Sequence, residues 1–284
     1  MPRLRLGVAL LVPGHLAPEI DGLRRACGDG ALGRVAAHLT LVPPVNVREA
    51  DLPDALAVLR AAAGAVRPFT LRLGPPSTFL PATPTLHLAV GGRGRATAVL
   101  RELRDAVFRP PMERELTFPF VPHVTLADEM EPERITAAVA GLADYVVEAR
   151  FERVHLLREV REEGERRWHP VADAPFSAPI VVGRGGVELE LAVSTLLDPE
   201  AERAEEGAWA EHGPPPLHGA PVGAHPVVVV ARRRGTVAGV ARGWWGPDGD
   251  TLASLVVVPD QRRQGIARHL SAAFHHATRT AAGD

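Results

Sequence analysis

The chain has 284 residues, 46% of them apolar, with 32 basic and 34 acidic side chains and a net charge of −2. It is long enough for two domains with separate cores, and it lacks the global positive field that a long polynucleotide partner would favour. Lysine is absent, so all 32 basic residues are arginine; this excludes Schiff-base and Walker-type chemistry and leaves phosphate binding to Arg, hydroxyls and backbone amides.

Leu4 to Val12 reads as a buried first strand. Its basic start, Pro2-Arg3-Leu4-Arg5, has the outline of a signal peptide, but the apolar run is short, stops at Pro13-Gly14 and lacks a small-residue cleavage site. Pro18 to about Ala26 predicts a helix, and Gly28, Gly30 and Gly33 a loose connection to a strand that starts at His38. Cys27 is the one cysteine. It excludes an intramolecular disulfide and a Cys-based zinc site, reads as a small buried hydrophobe, and fits a reducing, cytoplasmic setting.

Pro43-Pro44 is expected to end the His38 strand abruptly. Leu52 to Val66 then predicts a helix, Phe69 to Leu73 and Thr85 to Val90 predict strands, and Pro75, Pro76, Pro81 and Pro84 predict a loop between them. Val99, Leu100, Leu103 and Val107 line one face of a helix over 95–108, with Arg101, Glu102 and Arg104 on a solvated face. Phe118 to Leu126 reads as a strand, Pro132 to Tyr145 as a helix, and Val146 to Val154 and His155 to Val160 as extended chain. His169 before Pro170 predicts a turn.

Two of these strands carry the same words: His38-Leu39-Thr40-Leu41 and His123-Val124-Thr125-Leu126. The His, Thr and Leu content predicts well under one such match by chance. In a strand, residues i and i+2 share a face, so each His projects with its Thr while the apolar alternates enter a core. Each motif sits in the order strand, helix, His strand, helix, strand. This predicts an internal duplication: an α+β domain of two lobes, with the His strands side by side and four side chains converging on one groove. Histidine suits acid and base work alike, because its unperturbed pKa lies near neutrality, so one imidazole can take a proton while the other gives one. Thr40 and Thr125 suit the oxygens on which charge accumulates. Which histidine does which is open. His87 and His155 read as structural or surface histidines, and Arg150, Arg153 and Arg158 as a solvated strand edge.

His38-Leu39-Thr40-Leu41-Val42-Pro43-Pro44 and Pro122-His123-Val124-Thr125-Leu126-Ala127, with Arg67-Pro68-Phe69 between them, resemble the paired signatures of the two-histidine (2H) phosphoesterases. The bacterial 2′-5′ RNA ligase branch, which also acts as RNA 2′,3′-cyclic phosphodiesterases, is the most similar. The resemblance runs from about Leu4 to Phe176. It implies a metal-independent phosphodiesterase acting on RNA ends or small cyclic nucleotides, with His38, Thr40, His123 and Thr125 as catalytic residues and no cofactor.

Composition changes after Phe176. The expected domain bounds are 1–177, a linker over 178–186 that contains Pro179 and Gly183 to Gly186, and a second domain over 187–284. Val187 to Thr195 predicts a strand, Pro199 to His212 a helix, Gly213 to Pro226 a loop, Val227 to Arg232 and Val237 to Trp244 a hairpin, and Leu252 to Val258 a further strand. Trp244-Trp245 reads as core. Arg262, Gln264, Gly265 and Ala267 lie between that last strand and a helix to about Thr278, and such a turn presents backbone amides to an anion. These residues resemble the acetyl-CoA pyrophosphate loop of GNAT-type N-acetyltransferases. The resemblance implies an α/β domain with acetyl-CoA as cofactor, held by the amides around Gln264, Gly265 and Ala267. The sequence ends at Asp284, so a truncated GNAT-like domain is expected, with an unpaired edge on the Leu252 to Val258 strand and self-association through it. A rival reading of the whole chain is a CoA-binding acyltransferase whose front domain serves recognition; a third is a non-catalytic binder of RNA ends. No membrane partner is expected.

Overall fold

The computed structural model describes residues 2–183, 188–210, 213, 219–247 and 249–282. The chain forms two compact units, Met1–Pro170 and Val171–Asp284.

The first unit begins β1 (Arg3–Leu11), α1 (Ala17–Cys27), β2 (His38–Arg48), α2 (Leu52–Gly64) and β3 (Phe69–Thr78). It repeats the order with β4 (Leu86–Gly91), α3 (Ala96–Val107), β5 (His123–Ala127), α4 (Pro132–Gly141) and β6 (Val147–Phe151), then adds β7 (Arg153–Glu162) and β8 (Glu165–Pro175), the last of which crosses the unit boundary. The sheet order is β6-β3-β4-β5-β2-β1-β7-β8. The two His strands are therefore neighbours at its middle, each flanked by the first strand of its own repeat. The outer places are exchanged: β3, from the first repeat, pairs with β4 of the second, and β7 pairs with β1. A linear duplication cannot reveal that exchange, because it is made by which edge each returning strand finds.

Several boundaries differ from expectation for identifiable reasons. Pro43 and Pro44 do not end β2. They fall at a register shift between the pairs Leu6↔Val45 and Val8↔Val42, opposite Gly7, where the ladder asks for no proline donor. Pro75 and Pro76 likewise lie inside β3 at a shift rather than in a loop. There Gly74 has φ +107°, and a Cβ would fall 2.1 Å from the Tyr145 carbonyl oxygen, so only glycine fits. Residues 118–122 are not strand, and β5 starts only at His123. Helix α4 ends at Gly141, short of Tyr145, and the break between β6 and β7 falls at Glu152. His169 is not in a turn; it lies within β8, 3.1 Å from Glu162. The glycine-rich connection before β2 is tied rather than loose: buried Arg24 binds Asp29 at 2.7 Å, Asp21 at 2.8 Å and the Val35 carbonyl at 3.1 Å.

The second unit contains β9 (Ile180–Val182), β10 (Leu189–Ser194), α5 (Pro199–Trp209), β11 (His225–Arg233), β12 (Thr236–Gly246), β13 (Gly249–Val257) and α6 (Ile266–Ala282). Its antiparallel sheet has the order β13-β12-β11-β10-β9. Val227, Val229 and Ala231 pack with Ile266, Leu270 and Phe274 of α6, while Val228 and Val230 pack with Ala201 and Ala208 of α5. Alternation in β11 thus places the two helices on opposite faces. Asp198 accepts hydrogen bonds from the Glu200 and Ala201 amides at the start of α5 and pairs with buried Arg232 at 2.7 Å. Trp245 is half-buried against the α6 side of the core.

Strand β9 lies inside the stretch expected as linker, pairing with β10. Residues 184–187, part of that stretch and the expected start of the next strand, lie outside the described residues. So do 211–212, at the expected end of α5, and 214–218 of the loop expected over 213–226. Helix α6 runs past Thr278 to Ala282. Strand β13 is an edge of the described sheet, as the sequence suggests.

Candidate active site

Strands β2 and β5 join through the pair Leu39↔Val124, which sets the two motifs side by side. Both show one pattern: His and Thr are half-buried, while Leu39, Leu41, Val124 and Leu126 are buried on the opposite face. Each imidazole is fixed in the same way. His38 Nδ1 lies 2.7 Å from the Ala36 carbonyl oxygen and His123 Nδ1 lies 2.8 Å from that of Val121, each two residues back. A carbonyl only accepts, so Nδ1 carries the proton and the neutral ring keeps its lone pair on Nε2. Either ring can take a proton there or, once charged, give one.

The surroundings differ. Burial is the main force pushing the His38 pKa below its ordinary value; the Ala36 hydrogen bond opposes it, and the charges of Arg24 and His123 add to the depression. His123 stands in an aromatic corner. Its centroid is 4.9 Å from Phe79, edge to face, and 5.4 Å from His87, which itself stacks on Phe79 at 4.1 Å. His87 lies opposite Thr125 in the ladder, is buried, and its Nδ1 has no hydrogen-bond partner. Burial, then repulsion from His123, pushes its pKa down to about 4.

Two cavities open on this face. One, about 370 Å³, is lined by Thr40, Phe79, Thr83, Arg104, Phe118, Phe120 and His123 among others. The second, about 110 Å³, is lined by Gly7, Ala9, His38, Thr40, Leu157 and Trp168 among others. Thr40 belongs to both. Thr125 lines neither of these two, although it shares the sheet face of the other three motif side chains.

Arg104 corrects the reading of α3. Its side chain is only 13% exposed, sits 4.0 Å over the Phe108 ring and reaches the larger cavity, while Arg101 and Glu102 stay exposed. Phe79, His87 and Arg104 are the residues that sequence reasoning passed over. His87 comes close to His123 only through the pairing of β4 with β5, where it lies opposite Thr125. Arg150 pairs with Glu152 on the exposed edge strand β6, away from the cavities. His155 lies in β7 opposite Ala9. Among the described residues no cluster of three or more His, Cys, Asp or Glu is placed to hold a metal ion, and no helix is long and apolar enough to cross a membrane.

In the second unit the stretch after β13 has the expected strand, turn and helix. Arg263 and Gly265 both take left-handed φ, +63° and +79°, just before α6, and nothing lies within 4 Å of where a Gly265 Cβ would be. Successive amides in such a turn form a concave donor set suited to a pyrophosphate. Arg262, Gln264 and Ala267 flank it, with the Gln264 side chain accepting from Arg233 at 2.8 Å.

Comparison with known proteins agrees with both halves. Residues 12–163 match the profile of the 2′-5′ RNA ligase superfamily, and residues 194–282 match that of the acetyltransferase (GNAT) family. A Bacillus cytotoxicus protein provisionally described as a phosphoesterase is 26% identical over 162 residues, 56% of this chain and 91% of its own. An Oceanobacillus iheyensis protein with the same description is 25% identical over 162 residues, 56% and 92% of the two chains. Among solved structures, Escherichia coli LigT complexed with 3′-AMP is 21% identical, covering 61% of this chain and 98% of its own, at a TM-score of 0.42. A Thermus thermophilus protein is also 21% identical, covering 61% and 97%, at 0.44. The chain belongs to the 2′-5′ RNA ligase superfamily, with its two His-x-Thr strands inside the matched region and a GNAT-like region after it.

Proposed function

We propose that the first unit is a metal-independent phosphodiesterase that hydrolyses 2′,3′-cyclic phosphates of RNA ends or nucleotides. The observation that carries this reading is the matched tethering of His38 and His123, each through Nδ1 to a carbonyl two residues back, on adjacent strands. Two imidazoles presenting Nε2 to one face are suited to remove a proton from water and to protonate the departing ribose oxygen, each worth roughly 10² to 10⁴ in rate. Thr40 and Thr125 would donate to the non-bridging oxygens as charge builds up there. The free, buried Cys27 fits a cytoplasmic enzyme.

The test is hydrolysis, in EDTA, of a 2′,3′-cyclic mononucleotide, a short oligonucleotide with a cyclic end, and a 2′-5′-linked dinucleotide, side by side. Turnover of a cyclic substrate supports the reading and sizes the site. Turnover of the 2′-5′ linkage alone redirects it within the family, and turnover of none overturns it.

For the second unit, the left-handed turn into α6 favours a second reading: a CoA-binding module. The amides around Gln264, Gly265 and Ala267, with Arg262 beside them, would hold the pyrophosphate of acetyl-CoA, which when bound supplies an activated acetyl group. Isothermal titration with acetyl-CoA checks it. Gly265→Val should remove binding by closing the turn to left-handed backbone; equal affinity in the variant would contradict it. Self-association through the β13 edge is a further expectation, checked by sedimentation.

A further inference from the structure

Antiparallel strands β2 and β5 meet at Leu39↔Val124, so an approximate local twofold axis between them carries His38 onto His123 and Thr40 onto Thr125. The flanking strands place unlike residues at the related positions. Ala9 of β1 lies opposite Thr40, and His87 of β4 lies opposite Thr125. Directly opposed residues share a sheet face, so Ala9 and His87 both stand on the face of the motif side chains. Beside Ala9 that face holds the 110 Å³ cavity, lined also by His38 and Thr40. At the related place beside His123 stands the His87 imidazole, 4% exposed and stacked on Phe79 at 4.1 Å.

The tether of His123 leaves that neighbour a task. The hydrogen bond between Nδ1 and the Val121 carbonyl oxygen fixes the tautomer. The last torsion of a histidine is broad, however, and one bond lets the ring tilt about it. Phe79 stands at 89° to the His123 ring and His87 at 65°, with centroids 4.9 and 5.4 Å away. The Phe79–His87 stack closes the triangle. Resting on the phosphodiesterase reading above, we infer that His87 is a positioning residue: its ring, braced by Phe79, holds the plane of His123 so that Nε2 faces the groove.

Two further features of His87 agree with that role. Its Nδ1 is buried without a hydrogen-bond partner, so this nitrogen tethers nothing and the ring acts through its flat face and its volume. Whichever way the proton moves, His123 is charged at one stage of the reaction. Burial first, then His123, pushes the His87 pKa down to about 4, so near neutral pH it sets no like charge beside that ring.

The test measures kcat and KM on a 2′,3′-cyclic mononucleotide for the full chain with His87→Ala, His87→Leu or His87→Phe, folding being checked by circular dichroism. His87→Ala removes the ring and its volume, His87→Leu keeps volume without the flat face, and His87→Phe keeps both. The first two should lower kcat by about ten- to a hundredfold with KM within about threefold of the parent, as for a misplaced reacting group. His87→Phe should hold kcat within about threefold. Parental kcat in folded His87→Ala or His87→Leu, a His87→Phe as slow as His87→Ala, or a loss confined to KM overturns the role. A parent without turnover overturns the phosphodiesterase reading, and the ring is then read directly in long-range ¹H–¹⁵N spectra at neutral pH, with His123 assigned against His123→Ala. His123 should show one Nδ1–H tautomer in the parent and in His87→Phe, and a mixture in His87→Leu; an unchanged His123 signal in His87→Leu overturns the positioning.

Discussion

The strands β2 and β5 carry the same four-residue pattern, the same alternation of burial and the same tether from Nδ1 to a carbonyl two residues back. Their supports are not the same. His38 follows a connection pinned by an ion-paired, buried arginine, whereas His123 leans on a stack of Phe79 and a second, neutral histidine. Local sequence fixes how each ring is held, and the rest of the fold fixes what surrounds it. The two strands thus share their tethers while their surroundings differ.

The β2 support gives the largest expected effect. Arg24→Met leaves the Asp29 carboxylate, whose side chain is 3% exposed, without its partner. Breaking a buried pair in this way costs about 3 to 5 kcal/mol. Urea unfolding should show that loss, and a change below about 1 kcal/mol would mean that the connection to His38 does not depend on the pair.

The β5 support should show itself in pH dependence. His87 has a folded-state pKa near 4, below the usual 6.5. The unfolded chain therefore binds its proton first as pH falls. The stability tied to this neutral histidine is complete above pH 6.5 and declines through the window down to about 4, by up to about 3 kcal/mol. His87→Phe keeps a ring against Phe79 and removes the titration. Its stability should be flatter than the parent's between about pH 6.5 and 4.5, and an unchanged slope would place the titrating group elsewhere.

The smallest effect separates the two threonines. Thr40 lines both cavities and Thr125 lines neither. Thr40→Val should lower kcat by roughly ten- to a hundredfold, as expected for one hydrogen bond to a charged oxygen. Thr125→Val should lower it less. Equal losses would restore the symmetrical groove that the bare repeat suggests.

Much of this arrangement was legible in the sequence because it is local. His38, Thr40, His123 and Thr125 were identifiable from period-2 spacing and repetition, and the neighbouring helices from their apolar faces. What was not legible depends on distant pairing. Pro43, Pro44, Pro75 and Pro76 read as strand breakers until the register shifts that accommodate them are seen. His87 read as structural because its closeness to His123 follows from the pairing of β4 with β5. Arg104 read as solvated because the Phe120 ring that joins Phe108 in shielding it comes from the segment before β5. In the second unit the hairpin was legible from its two apolar strands, and Arg234 and Gly235 between them take left-handed φ values of +50° and +82° that suit a two-residue turn. Strand β9 was hidden in a segment whose composition resembles a linker.

The most direct test of the central claim, that the two strands form one hydrolytic site, is the initial rate on a 2′,3′-cyclic mononucleotide in EDTA for the parent, His38→Ala, His123→Ala and the double variant. Residues acting in one step are not additive. Each single variant should fall by at least about a hundredfold, with the double variant close to the weaker single. A single variant that retains parental turnover while folded would contradict the account.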